Sequence, residues 1–487
     1  MMPAMHGGRD GLGSQGGALG WRQHLALGVY SLVLRLARPL LRRKLTRRAR
    51  TEPGYAHAVD ERLGRYVNPL PPGWADSAAP RVWVHAVSLG ETRAAAVWLP
   101  LLRERLPGVR ILLTHSTATG WAEGQRHVRP GDVQTWLPWD EPGVVRAFVR
   151  HFRPSAGVLM ETEVWPNLVR VCAQQGMPLV LANARLNERS HRQAQRLAWL
   201  SGPAYAGLRA VWAQTEGDAH RLRSLGAPVQ AVWGNLKFDA QPDAAQCTTG
   251  RRWRQLLQRP VVMLASSREG EEADFFEQIM AFSLSSQAKN ASVFDVSSVV
   301  WLVVPRHPQR FDAVAELVRA RGWSCQRRSA WPDGDAGVQA LARHAQGMGS
   351  GHGPTVVLGD SLGEMALYYS LSNVALLGGS FAPLGGQNLI EALACACPVV
   401  LGPHTFNFAE VSEQAVASGA AVRVLTLGDA LQVALAWVGM PQEDHASGEP
   451  AGPADRARAA QAAVSLVASG QGASNHTAEA VASLLQA

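Results

Sequence analysis

The sequence predicts an α/β protein made of two doubly wound, Rossmann-like parallel-sheet domains. Three observations predict it. The chain has 487 residues, more than one hydrophobic core usually organises. Short apolar, β-branched runs alternate with helical patterns along most of it, which is the pattern of parallel strands joined by helices. Polar and charged residues gather where those runs end, and in open α/β sheets ligands bind at the carboxyl ends of strands.

Composition narrows the class. Hydrophobic residues make up 47% of the chain, with 47 Gly and 29 Pro, as expected of a globular α/β protein with many turns. The formal net charge is +8, carried mostly by arginine, and points to an anionic partner: nucleic acid, an anionic membrane or a phosphorylated substrate. The excess is concentrated in residues 35–50 and no aromatic–basic module follows, so a nucleic-acid partner is not expected. The five cysteines, Cys172, Cys247, Cys325, Cys395 and Cys397, are odd in number and form no Cys-x-x-Cys pair. They read as free thiols of a reducing compartment, with no zinc site.

Taken in order, the first twenty residues are Gly-rich and expected to be disordered. From Leu25 to Leu41 the pattern is helical. At 100° per residue Leu25, Val29, Leu32, Val33, Leu36 and Leu40 share one side, Leu27, Leu34 and Leu41 widen the apolar arc, and Arg35, Arg38 and Arg42 form a narrow stripe. The segment falls short of the roughly 20 uninterrupted apolar residues of a membrane span. Arg42-Arg-Lys44, Arg47, Arg48 and Arg50 follow, so residues 1–50 read as a disordered start plus an interfacial anchor for an anionic membrane surface. The alternative is an amphipathic helix packed on its own domain.

Residues 51–240 carry the first strand–helix series. Arg81-Val-Trp-Val-His-Ala-Val87 is a strand, Ser88-Leu-Gly90 a turn, and Glu91 opens the next helix. A carboxylate there can take a proton from a substrate hydroxyl, or can simply favour the helix N-terminus. Further strands are expected at 109–115, 133–138, 154–160, 178–183, 211–216 and 229–234. Their ends bring Ser116–Thr119, Glu161, Asn183 and Arg185 toward one crevice. Residues 241–440 form the second series, with strands at 261–267, 299–304, 355–360, 374–380 and 398–404. Residues 283–298 and 331–354 read as surface insertions. Residues 441–487 are Gly/Ala/Ser-rich, of loop and helix character.

The second half suits an anionic, nucleotide-like ligand. Gly378-Gly-Ser380 follows a strand and Gly385-Gly386 precedes a helix, where backbone N–H groups and a helix N-terminus favour a phosphate. These glycines form neither Gly-x-x-x-x-Gly-Lys-Ser/Thr nor Gly-x-Gly-x-x-Gly. Arg306 and His307, at another strand end, can complement a leaving phosphate, and Glu391 can accept from ribose hydroxyls. Two Rossmann-like halves facing a central cleft, a nucleotide site in the second and a lone carboxylate in the first suggest a GT-B glycosyltransferase.

The motifs then become specific. His85-Ala-Val-Ser-Leu-Gly-Glu91, Met160-Glu-Thr-Glu-Val-Trp-Pro-Asn167, Ala182-Asn-Ala-Arg-Leu186, Gly234-Asn-Leu-Lys-Phe-Asp239, Val304-Pro-Arg-His-Pro308, Gly359-Asp-Ser-Leu-Gly-Glu364, Asn388-Leu-Ile-Glu391 and Gly402-Pro-His-Thr-Phe-Asn-Phe408 occur in this order. Together they resemble the 3-deoxy-D-manno-octulosonic acid (Kdo) transferases of lipopolysaccharide biosynthesis. The resemblance implies transfer of Kdo with inversion from CMP-Kdo to the lipid A precursor (lipid IVA), at the cytoplasmic face of the inner membrane. It implies Glu91 as general base and Glu161 and Lys237 as transition-state support. Pro305, Arg306, His307, Leu362, Gly363, Glu364, Gly379, Ser380, Asn388, Leu389, Ile390 and Glu391 would hold the donor. Ser88, Gly90, Thr117, Thr119, Asn183 and Arg185 are the candidate acceptor contacts. An inverting transfer needs one base opposite the leaving group, and CMP is already a good leaving group, so no cofactor and no metal are expected. The chain departs from the family pattern at Arg268 and Gln387, where the family usually has histidine, and in a long 331–354 segment. The alternative activity is another GT-B transferase acting with a UDP-sugar on a lipid.

Overall fold

The structure, a computed structural model, describes residues 20–74, 78–288, 296–332, 334–347, 353–439 and 452–486. The expectation of disorder for the first twenty residues falls almost wholly outside them. The chain divides into two compact units: residues 1–237 with 472–487, and residues 238–471.

The first unit is built on a sheet of β1 (Arg81–His85), β2 (Arg110–His115), β3 (Val133–Trp136), β4 (Ala156–Met160), β5 (Leu179–Ala184), β6 (Ala210–Ala213) and β7 (Val229–Val232). Its order is β3-β2-β1-β4-β5-β6-β7, and every pairing is parallel. In β1, β2, β4, β5 and β6 both faces are buried, which is why these strands read as continuous apolar runs rather than alternating ones. Trp83, Leu112 and Leu159 point to one core; Val82, Val84, Val158 and Val180 point to the other. The order reverses between β1 and β4, and in a doubly wound sheet that reversal opens the ligand crevice.

The second unit holds β8 (Val261–Ser267), β9 (Val300–Pro305), β10 (Ser324–Arg327), β11 (Thr355–Leu358), β12 (Val374–Leu377), β13 (Val399–Leu401) and β14 (Ala421–Arg423). They run β10-β11-β9-β8-β12-β13-β14, again all parallel. Here the reversal lies between β8 and β12. The two outermost strands, β10 and β14, were not expected. As edge strands they are short and only partly covered, so Ser-Cys-Gln-Arg and Ala-Val-Arg carry no apolar run to betray them.

Two expectations are corrected, and a third, at the C-terminal end, is made specific. The segment 331–354 is not a surface insertion throughout. A helix, Ala336–Gly347, sends Val338 and Leu341 fully into the core, while 333 and 348–352 lie outside the described residues. Residues 283–288 continue the helix Glu271–Ala288 rather than interrupting it, with 289–295 outside the described residues. Past the undescribed 440–451, the Gly/Ala/Ser-rich end forms two helices. Pro453–Gly470 packs in the second unit through Ala463 and Val467, and Ala473–Gln486 returns to the first unit, packing Ala478 and Val481 beside the helix Leu89–Arg105.

The N-terminal helix runs Trp21–Ala49. Leu25, Val29, Leu32, Val33, Leu36 and Leu40 are all more than half exposed. The expected apolar arc is split, however: Leu27 is buried against the first unit. On that inner side Ser31 donates to Asn167 Oδ1 at 3.2 Å. Arg38 forms a bidentate pair with Glu141 at 2.5 and 2.6 Å, so the arginine stripe is partly a docking feature. By length and composition the helix is long and apolar enough to cross a membrane, longer than the sequence reading allowed.

Candidate active site

In the first unit the site grows from the β1 end. The chain leaves β1 and enters the helix Leu89–Arg105, with Ser88 as its cap. Ser88 and Glu91 lie three apart, the spacing of a capping box. The Glu91 carboxylate accepts from the Val87 N–H at 2.8 Å and from the Ser88 hydroxyl at 3.1 Å. Those donors hold it down, but burial, joined by the negative charges of Glu161 and Glu163, pushes its pKa up to about 7. A buried carboxylate favours its neutral form, and a like charge nearby adds to that. At neutral pH Glu91 therefore exchanges a proton readily, which suits a general base. Burial outweighs the two hydrogen bonds that favour the ionised form.

Across the reversal, β4 delivers Glu161. It is buried and sits at φ 58°, a left-handed conformation that a non-glycine residue keeps only where its surroundings demand it. They do: Lys237 Nζ lies 3.0 Å from one carboxylate oxygen and Arg185 Nε 2.7 Å from the other. Burial raises the Glu161 pKa, but Lys237 and Arg185 overcome it and hold the carboxyl below its ordinary value. Asn183, at the β5 end and φ 52°, accepts from the Leu236 N–H at 3.0 Å. That bond fixes the turn Leu236–Asp239 and so aims Lys237 at Glu161. Asn183 thus acts on the site through Lys237, and its buried Nδ2 has no partner among the described residues. Thr117 is also committed: its hydroxyl donates to Val87 O at 2.9 Å and accepts from Gly120 N–H at 3.1 Å. Gly120 is required there, since a Cβ would lie 2.8 Å from Val87 O. Gly90 and Thr119 are exposed. Glu163, unassigned in the sequence reading, accepts from Trp165 Nε1 at 2.9 Å, and its pKa is raised, chiefly by burial.

In the second unit the β8 and β12 ends meet at Gly378. A Cβ on Gly378 would come within 2.6 Å of Ser266 O, so only glycine allows this approach. The next turn does not offer its amides as expected. The Gly379 N–H donates to both oxygens of Glu271 at 2.8 Å, and Glu271 also accepts from the Arg268 N–H at 2.9 Å. The backbone cradle expected for a phosphate is filled by the protein's own carboxylate. Glu271 is the residue that sequence reasoning missed; its signal was a carboxylate three residues past Arg268 at a strand end. Ser380 is fully buried, donating to Leu377 O and accepting from Gly402 N–H, so its hydroxyl is structural. Leu389 and Ile390 turn into the core, and Asn388 accepts from the Ile390 N–H at 3.2 Å. Pro305 ends β9 buried, with Arg306 and His307 exposed beyond it. Glu364 is held by Arg328 at 2.8 Å and by the Ser361 hydroxyl. Leu362 is exposed and Gly363 has φ 81°. Among the described residues no group of three His, Cys, Asp or Glu could hold a metal ion.

Residues 57–240, the stretch carrying Glu91 and Glu161, match a family model described as 3-deoxy-D-manno-octulosonic-acid transferase. A 3-deoxy-D-manno-octulosonic acid transferase of Bordetella pertussis is 45% identical over 433 residues, spanning 87% of this chain and 94% of the relative. The chain belongs to the Kdo transferase family. A second transferase of that description, from Haemophilus influenzae, is 30% identical over 416 residues, 83% of this chain and 89% of its own. Among solved structures, the C-terminal CMP-Kdo binding domain of WaaA from Acinetobacter baumannii is 27% identical, with a TM-score of 0.35, covering 46% of this chain and 98% of that domain. As a Kdo transferase the protein is a glycosyltransferase, and its two parallel sheets are those expected of the GT-B class.

Proposed function

We propose that this Kdo transferase moves Kdo from CMP-Kdo to the lipid A precursor, lipid IVA, with inversion, and that Glu91 is the general base. The observation that carries this reading is the Glu91 carboxylate at the β1 end, beside the sheet reversal, with its pKa raised to about 7. A hydroxyl of the acceptor attacks the anomeric carbon of Kdo, its proton passes to Glu91, and the bond to the phosphate oxygen breaks to release CMP. Glu161, with Lys237 and Arg185, forms a fixed charge cluster that stabilises the developing charge without reorganising. The second unit holds the donor through Arg306, His307, Glu364, and Asn388 and Glu391 at the start of the helix Ile390–Ala394. CMP leaves readily, so the chemistry calls for no cofactor or metal. The exposed leucine row of the N-terminal helix and its arginines seat the enzyme on the anionic cytoplasmic face of the inner membrane, where the lipid acceptor lies.

Mass spectrometry of the product formed from CMP-Kdo and lipid IVA tests this directly. The expected product is the acceptor plus Kdo, with CMP released in equal amount. Product from a UDP-sugar, and none from CMP-Kdo, would overturn the donor assignment.

A further inference from the structure

Four basic side chains collect at the carboxyl ends of β8 and β9: Arg268, Arg306, His307 and Arg310. Burial and the charges of Arg268, Arg306 and Arg310 together hold the His307 pKa below its ordinary value. Like charges so gathered are costly unless an anion joins them. Their own carboxylates do not neutralise all of them. Arg310 is taken by Glu272, at 2.9 and 3.2 Å, with Glu269 at 3.8 Å. Arg306 Nε donates to Gln387 Oε1 at 3.2 Å. Glu271 is spent on backbone N–H groups. The half-buried Arg268 side chain has no hydrogen-bond or ion-pair partner among the described residues.

Its position is built rather than incidental. The β8–β9 register shifts between Ala265 and Ser267, and Ser266 is held at φ 55°. A bulge and a strained residue at a strand end re-aim the chain that follows. Arg268 is thereby laid against Gly379 at the sheet reversal: a Cβ on Gly379 would lie 3.6 Å from Arg268 Cγ and 3.1 Å from Gln387 Nε2. The turn whose amides could have cradled a phosphate is closed by Glu271, and a guanidinium stands beside it instead.

We propose that Arg268 binds the phosphate of the sugar-nucleotide donor, a bidentate guanidinium contact replacing the glycine-turn cradle, with Gln387 as its neighbour against Gly379. The proposal rests on reading the second unit as the donor-binding half, and the test separates the two. CMP and cytidine are titrated by calorimetry against the full-length protein and its Arg268→Gln and Arg268→Lys variants, with melting temperatures recorded. A charge-assisted phosphate contact predicts that Arg268→Gln weakens CMP binding about 10- to 100-fold. Cytidine binding and the melting temperature stay unchanged. Arg268→Lys, which keeps the charge, recovers part of the loss even if the glutamine variant folds poorly. The proposal is overturned if Arg268→Gln binds CMP within about threefold of wild type, as it would if Arg268 met the sugar carboxylate, or if CMP and cytidine weaken equally. Wild-type protein that binds UMP and not CMP would overturn the donor reading alone, and the same variants on UMP and uridine then decide Arg268. Wild-type protein that binds neither overturns both.

Discussion

Glu91 is tied by Val87 and Ser88 to the start of its own helix and, in the proposed reaction, takes the acceptor's proton. The two roles compete through its pKa, which gives a prediction with a definite sign. The base must be ionised to work, so kcat/KM should rise with pH along an acid limb near pH 7 and flatten above it. Part of the elevation comes from the Glu161 charge. Replacing Glu161 by Gln removes that charge and leaves Lys237 and Arg185 unneutralised nearby, and both changes favour ionised Glu91. The limb should therefore move to lower pH, read from the pH profile of kcat/KM; a limb that moves up would contradict the electrostatic account. The same variant strips a buried carboxylate from two partly exposed cations, which costs about 1–3 kcal/mol of stability and should appear as a lower melting temperature. At this scale the sequence was legible in part. The Ser88–Glu91 spacing announced a carboxylate at a strand–helix turn. The elevated pKa was not legible, because it depends on burial and on Glu161, seventy positions along the chain. Glu271 was hidden for a similar reason: its partner Gly379 is distant in sequence, and nothing local marks an amide as already occupied.

At the scale of elements, strands buried on both faces could be read from their apolar runs, and the edge strands Ser324–Arg327 and Ala421–Arg423 could not, since half-covered strands need no such run. The helix Ala336–Gly347 was masked by the glycines that flank it. Contacts between helices are sharply set. A Cβ on Gly250, in the helix Ala244–Leu257, would lie 2.5 Å from Leu367 O and 2.9 Å from Leu371 N in the helix Met365–Leu371. Backbone cannot yield there, so Gly250→Ala should destabilise by about 1–3 kcal/mol, measured as a shift in denaturant midpoint at constant slope. The N-terminal helix needs a subtler test than deletion, because its inner side is bolted to the first unit by Leu27, Ser31 and Arg38. Leu32 and Leu36 are exposed and free of that packing. Leu32→Asp with Leu36→Asp should leave the melting temperature unchanged and release the protein from anionic vesicles, each leucine being worth about 2 kcal/mol of apolar burial. Unchanged co-sedimentation would contradict the membrane role.

Over the whole molecule, the first and last described helices belong to the same unit. The terminal helix Ala473–Gln486 supplies Ala473, Ala478, Val481 and Ala482 to the core that also holds Val82, Val84 and Trp98. Compositional reading treated this stretch as uninformative, since small residues give a weak periodic signal although they allow close helix packing. Truncation after Gly470 should uncover that core and cost about 5 kcal/mol, lowering the melting temperature of the first unit by roughly 10–20 °C. The family assignment and the two-sheet architecture rest on features spread over the whole chain, and so were legible from ordered motifs and strand–helix alternation.

The catalytic claim converges on one side chain. Glu91→Gln keeps an oxygen for the Val87 N–H, turns the contact with the Ser88 hydroxyl from acceptor to donor, and loses the capacity to take a proton. With CMP-Kdo and lipid IVA it should lower kcat by about 10²–10⁴-fold, with the melting temperature and the affinity for CMP unchanged. Turnover within about threefold of wild type would contradict the assignment of Glu91 as the base.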